Sequence, residues 1–420
     1  MKKFRILSLA MAAALCFALA AGCSGGNSGS GTATTPDPAA PETTTGGSDA
    51  APETSAGGSD TAPTGAAFKL GGTGPLTGAA SIYGLAAWHG AEIAVEEINA
   101  EGGAIQFELR YEDDVHDAEK AVNAYNTLKD WGMQISLGSV TSKPGEATSV
   151  LNNQDRIFAL TPSASSTAVI EGKDNVYQMC FTDPNQGMAS AQYISEQGLG
   201  SKISIIWKND DVYSKGIRDT FVAEAETRGL EIVYEGTFAD GNDTDFSVQL
   251  TESQKAGADL IFLPMYYTPA SLILTQANAM GYAPKFFGVD GMDGILTLEG
   301  FDTSLAEGVM LLTPFNADAT DDATVSFVTK YQEKYGEVPN QFAADAYDCV
   351  YALKQALETA GCTPDMDAAT LCEKLVETFP TITFNGLTGD GAGITWDATG
   401  AVSKSPKGMV IQNGAYVGME

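Results

Sequence analysis

The stretch Phe68 to Gly103, FKLGGTGPLTGAASIYGLAAWHGAEIAVEEINAEGG, constrains the fold more than any other part of the chain. A short extended run breaks at Gly74-Pro75 and Thr77-Gly78, crosses a polar loop carrying Ser81 and Tyr83, and passes into a helix. There Trp88, Ala91, Val95 and Ile98 recur three and four residues apart, which stacks them on one buried stripe and turns His89, Glu92, Glu96 and Glu97 to water. Gly102-Gly103 stops the helix. Open α/β sheets are built from this strand, loop and helix unit, and they bind small ligands in the loops at the carboxyl ends of their strands. Ser81 and Tyr83 are therefore expected to touch a ligand.

The same rhythm continues. Strands are expected at 68–73, 104–112, 133–138 and 157–161, with helices at 84–100, 117–131 and 143–153 between them. After a connection at 176–183 and a helix from Pro184, strands at 202–207, 230–236, 259–264 and 285–289 alternate with helices at 214–228, 245–256 and 269–280. Residues 309–314 cross back, helices follow at 321–335, 343–360 and 368–379, and short strands at 394–396, 408–412 and 415–418 end the chain. Alternation of this kind predicts right-handed crossovers and parallel sheets covered on both faces. Two such lobes joined by several crossings make a hinge, and the cleft between them is the expected ligand site.

Ahead of Phe68 the chain reads differently. Residues 1 to 23 carry a basic start at Lys2, Lys3 and Arg5, an apolar run from Ile6 to Ala21, and then Gly22-Cys23. The run is short for a spanning helix and is followed by small residues, as in a cleaved export signal. Leu19-Ala-Ala-Gly-Cys23 resembles the lipobox of bacterial lipoproteins, with Leu one place further upstream than usual, which implies cleavage before Cys23 and its lipidation. Residues 24–66 are Gly, Ser, Thr, Ala and Pro with a few acids and no Lys or Arg, a disordered tether spanning about 35 to 40 Å in root-mean-square terms.

The 54 Asp and Glu against 23 Lys and Arg leave a formal charge of −31, a surface that repels nucleic acid and anionic lipid. Contact with a membrane is thus expected through the anchor only. Cys180, Cys349, Cys362 and Cys372 form no CxxC and the chain has 2 His, so neither a zinc site nor a redox centre has its spacing. One disulfide among the last three and simple burial are both compatible with the spacing.

No GxSxG or GxGxxG occurs, Pro75 removes a backbone donor from the Gly71–Gly74 run, and the stretch from Asp240 lacks the Gly at the sixth and the Glu at the twelfth position of a calcium loop. His89 reads as a solvated partner of Glu92 and His116 as part of a loop leading into a helix. Nothing here supplies a nucleophile, metal or cofactor, so neither an enzyme nor a cofactor is expected.

What does recur is a hydroxyl, an aromatic or an acid just past the carboxyl end of a strand: Ser142, Ser163, Ser165, Tyr213, Tyr267 and Asp290. Loop hydroxyls beside free helix-start N–H groups suit a carboxylate, and a lone Asp among tyrosines suits an ammonium. Together they describe a site for a zwitterion.

GPLTGAASIYG with GAEIAVEEINAEGG, YEDDVHD, LTPSASS, DDVYSKG, the DFS at 245–247 and GVDG at 288–291 resemble the branched-chain amino-acid-binding proteins of bacterial ABC importers, over about residues 67 to 418. The resemblance implies a type I periplasmic-binding fold, with two Rossmann-like lobes of parallel sheet joined by a multi-crossing hinge. With the signal peptide at 1–22 and the tether at 23–66 set aside, the expected lobes are an N-terminal one from 67–183 and 313–387 and a C-terminal one from 184–312 and 388–420. It places Ser142, Ser163 and Ser165 on the ligand's carboxylate and amine, Asp290 on its ammonium, and Tyr83, Tyr213 and Tyr267 around its side chain. Asp290 is shorter than the Glu often found there, and Lys143-Pro144 replaces small hydroxylic residues. The function implied is that of a lipid-anchored extracytoplasmic receptor, a monomer, that binds an apolar amino acid and delivers it to an ABC permease. A sensor of the same fold for another small amide or acid, without transport, is the alternative.

Overall fold

The computed structural model of the protein describes residues 65–389 and 391–419, so the expected signal peptide, Cys23 and nearly all of the tether lie outside the described residues. The first sheet is built from β1 (Phe68–Gly74), α1 (Ser81–Ala100), β2 (Phe107–Asp113), α2 (Ala118–Trp131), β3 (Ile135–Ser139), α3 (Ser142–Asp155), β4 (Phe158–Thr161), α4 (Thr167–Ile170) and β5 (Val176–Gln178). Its strands run parallel in the order β2-β1-β3-β4-β5.

The second is built from α5 (Asp183–Glu196), β6 (Lys202–Lys208), α6 (Val212–Arg228), β7 (Glu231–Phe238), α7 (Ser247–Ala256), β8 (Leu260–Leu263), α8 (Tyr267–Ala279), β9 (Lys285–Gly288) and β10 (Met310–Thr313). Three helices follow, α9 (Asp322–Tyr335), α10 (Gln341–Thr359) and α11 (Ala368–Thr378), and then β11 (Lys407–Gln412) and β12 (Ala415–Gly418). The order is β12-β11-β10-β9-β8-β6-β7, parallel up to β10 and antiparallel through the last hairpin. Read from β7 to β10, this sheet repeats the order of the first. Each sheet therefore reverses direction beside its first strand, between β1 and β3 and between β6 and β8, where doubly wound sheets open a crevice.

The local chemistry accounts for these elements. The central strands β4, β8 and β10 are short apolar runs buried along their whole length, as strands covered on both faces must be. Asp117, Asp211 and Asp321 cap the N-termini of α2, α6 and α9 with their side chains, and a left-handed Gly132, Gly229 or Gly336 closes each.

α1 begins at Ser81, three residues earlier than its periodicity predicts, so Tyr83 belongs to the first turn and not to a loop. It is buried on more than one stripe because α9 and α10 wrap it. At Gly90 a Cβ would meet the Ala343 carbonyl oxygen at 2.0 Å, so this crossing of α1 and α10 requires glycine. The same wrapping corrects the reading of His89. It is half-buried: its ring stacks on Tyr335 with centroids 3.7 Å apart, and burial lowers its pKa to about 4.

Two further differences concern the edges. Val176–Gln178, expected as connection, pairs with β4. Residues 394–402, assigned above to the C-terminal lobe, are held by the first sheet: Trp396 Nε1 donates to the Gln178 carbonyl at 2.8 Å, and Gln178 N donates to Gly400 O at 2.9 Å. In place of a strand at 394–396 there are isolated bridges, Phe384 to Ile394 and Trp396 to Val402. The last crossing into the second sheet falls between Val402 and Lys407, because Trp396 is an apolar anchor buried against Phe379.

Cys180, Cys349, Cys362 and Cys372 are buried and free. Among the described residues no helix is long and apolar enough to cross a membrane, and no group of three or more His, Cys, Asp or Glu is assembled to hold a metal.

Candidate functional site

The carboxyl ends of the two sheets meet at a narrow cavity of about 10 Å³. On one side β3 ends at Ser139, and the turn through Val140 and Thr141 starts α3 at Ser142. After β4 the loop 162–166 brings Ser163 and Ser165 to the same place. This loop is held from behind. Gln178 Nε2 donates to the carbonyls of Ala164 at 2.6 Å and Ser166 at 3.1 Å, and Thr161 Oγ1 accepts from Ser163 N and Ala164 N. Ser166 N donates to Ser142 Oγ at 3.2 Å, tying the two hydroxyl-bearing turns together.

From the other side come Tyr213 on the first turn of α6, Tyr266 at the start of α8, and Asp290 just past β9. Asp211 caps α6 by accepting from Tyr213 N at 2.8 Å, which fixes the ring at the cavity. Tyr213 and Tyr266 lie face to face, 4.7 Å apart and 7° from parallel. Tyr83 and Phe342 complete an aromatic wall, with ring centroids 4.8 Å apart and edges meeting faces.

Asp290 is 3% exposed. Its Oδ1 accepts from the Tyr213 hydroxyl at 2.5 Å, and its backbone N donates to Gln186 Oε1 at 3.1 Å. Burial raises this carboxyl to about 7, against the pull of Tyr213 and Gln186. Next to it the Tyr213 hydroxyl accepts from Gly291 N at 2.9 Å, and a Cβ at Gly291 would meet that hydroxyl at 2.6 Å, so only glycine fits. A buried acid with a raised pKa, flanked by aromatic rings, favours a ligand that brings a positive charge to it.

Tyr83 is also a clasp between the halves. Its hydroxyl donates to the Gly291 carbonyl and accepts from Tyr267 N at 3.0 Å. Ile82 N donates to Tyr267 Oη at 3.4 Å, and Thr268 Oγ1 to the Ala79 carbonyl at 2.8 Å.

Six of the expected residues, Tyr83, Ser142, Ser163, Ser165, Tyr213 and Asp290, line the one cavity. Tyr267 and Ser81 do not. Tyr267 packs behind Tyr83, 4.8 Å from it, and the ring that reaches the cavity is its neighbour Tyr266. The reason is helical geometry: Tyr266 is the N-cap of α8 with extended backbone, whereas Tyr267 is already wound into the first turn. Thr141 was legible as the neighbour of Ser142. Phe342 was not, since it arrives from a helix more than fifty residues further along the chain.

His116, read as a loop residue, adopts a left-handed φ of 62°. Its Nδ1 meets Thr141 Oγ1 at 2.9 Å and its ring edge packs on Tyr266 at 5.3 Å, while burial lowers its pKa. Asp183, at the start of α5, is a second buried acid behind Ser165. Neither its oxygens nor the Ser165 hydroxyl has a partner of good geometry, and burial raises Asp183 well above the usual carboxylate range while Ser165 opposes the shift.

A sequence profile of the periplasmic binding protein family matches residues 67–405. A Leu/Ile/Val-binding protein homologue of Brucella melitensis is 26% identical over 360 residues, covering 84% of this chain and 94% of that protein. The leucine-binding protein LivK of Thermotoga maritima superposes with a TM-score of 0.75 at 27% identity, over 84% of this chain and 98% of that one. LivJ of Streptococcus pneumoniae, a branched-chain amino acid transporter substrate-binding protein solved in complex with isoleucine, gives 0.75 at 28% identity, over 83% and 97%.

Proposed function

The chain belongs to the periplasmic binding protein family, and from that premise we propose that it is the extracytoplasmic receptor of an ABC importer, binding an amino acid with an apolar, branched side chain between its lobes. One observation carries this reading: an acid from the second sheet and three serines from the first converge on a single cavity. Asp290 pairs with the ligand's ammonium. Ser142, Ser163 and Ser165, with Thr141 and the first N–H groups of α3, take the carboxylate. The rings of Tyr83, Tyr213, Tyr266 and Phe342 enclose the side chain.

Because these groups belong to both halves, binding favours the closed arrangement, and the Tyr83 clasp forms only there. The likeness to LivJ, named as a transporter substrate-binding protein, supports delivery to a permease over sensing alone. The receptor acts as a monomer, without turnover and without a cofactor, and is held to the membrane by lipid on Cys23.

A thermal-shift panel of the twenty amino acids tests the reading. Leucine, isoleucine or valine should raise the melting temperature by mass action and Asp290→Ala should abolish the shift. Unchanged affinity of the variant by calorimetry would sink the assignment of Asp290. Mass spectrometry of the membrane fraction should find the mature chain beginning at an acylated Cys23, and Cys23→Ser should release it.

A further inference from the structure

A second cavity has a volume of about 400 Å³. Neighbours of the wall residues line it: Ile82 next to Tyr83, Asp293 two residues beyond Gly291, and Asn340 two before Phe342. The second is walled by apolar groups of Leu85, Leu296, Phe315 and Val338. Its charged lining is of one sign: Asp293, Asp318 and Glu337, with no Lys, Arg or His.

Asp293 is the feature that points to a ligand. It is 3% exposed. Its Oδ2 accepts from Gln341 N at 3.0 Å, but Oδ1 has no hydrogen-bond partner. Burial raises this carboxyl to about 6, with Gln341 and the Tyr416 hydroxyl opposing. A buried carboxylate oxygen left without a donor is costly, and a cation supplied from the cavity removes the cost. A hydrated metal ion would leave the apolar wall unused.

We propose that this cavity is a second binding site, distinct from the one on Asp290, for a small organic cation: a primary amine on an apolar body, its ammonium on Asp293 and its body against Leu85, Leu296 and Phe315. The lining comes from both halves, α1 on one side and Leu296 and Tyr416 on the other. An amine bound there holds the halves together and by linkage does not weaken the first site. The inference does not depend on which amino acid the first site takes.

The test is calorimetry on the folded chain with 2-phenylethylamine and n-hexylamine, and with 2-phenylethanol as the uncharged control. The amines should bind with dissociation constants in the millimolar range or below, and the alcohol at least tenfold more weakly. Asp293→Asn should weaken the amines at least tenfold, and Asp290→Asn should leave them unchanged. Since Asp293 also accepts from the start of α10, Leu296→Trp is the second variant, filling the cavity without touching the acid; it too should abolish amine binding. Absence of binding to the wild type at millimolar amine would overturn the proposal. So would binding lost in Asp290→Asn but retained in Leu296→Trp, which would place the amine in the first cavity.

Discussion

Replacing Asp290 with Asn probes the first site through stability and binding at once. In the folded chain burial lifts this carboxyl from 3.8 to about 7. The folded protein therefore keeps its proton across roughly pH 4 to 7, where the unfolded chain has lost it, and stability falls as pH rises through that window. Three pH units correspond to about 4 kcal/mol forfeited above pH 7. Asn has the same shape and no charge; it weakens the bond from the Tyr213 hydroxyl, a loss of about 1 kcal/mol. Allowing for relaxation around the ionised acid, ligand-free Asp290→Asn should be more stable than the wild type by about 1–3 kcal/mol at pH 8, and its advantage should shrink to less than half at pH 5. Urea unfolding at the two pH values measures this. The same variant should bind its amino acid at least about 30-fold more weakly, because a buried ammonium loses its counter-charge, typically 2–5 kcal/mol. A variant less stable than the wild type at pH 8, with an unaltered pH profile, would refute the idea that the site stores an unpaired acid for its ligand.

Tyr83→Phe removes the hydroxyl that joins Gly291 O to Tyr267 N across the halves; ligand affinity should fall about tenfold, mostly through faster release in stopped-flow measurements. Gly90→Val forces a side chain against the Ala343 carbonyl, and should cost at least about 2 kcal/mol in urea unfolding by prising α1 from α10. Lys404→Met strips the cation from Asp345, a pair with side chains 3% and 2% exposed. That should cost about 3–5 kcal/mol at pH 8. The loss should be smaller at pH 5, because burial already holds Asp345 at about 6 despite the lysine, so below that pH the acid is neutral and needs no partner.

Much of this protein is written in local pattern. Apolar runs of four to eight residues alternating with amphipathic stretches determine parallel sheets and two lobes, because only buried strands and covering helices satisfy that order. The same pattern places Ser142, Ser163, Ser165, Tyr213 and Asp290 past strand ends, where doubly wound sheets bind ligands, and all line one cavity. Periodicity along one helix, however, says nothing of what packs on its far side, which is why His89 is stacked on Tyr335 and half-buried instead of fully solvated. Nor does it settle a single residue at a helix start, where one step of backbone exchanges Tyr266 for Tyr267. Only the tertiary structure brings Phe342 to the wall, attaches Trp396 and Gly400 to the first sheet, and leaves one carboxylate oxygen of Asp293 without a donor at a large cavity. Each depends on contacts between segments far apart in the chain, and such contacts are decided by packing in three dimensions, to which neighbours in sequence are blind.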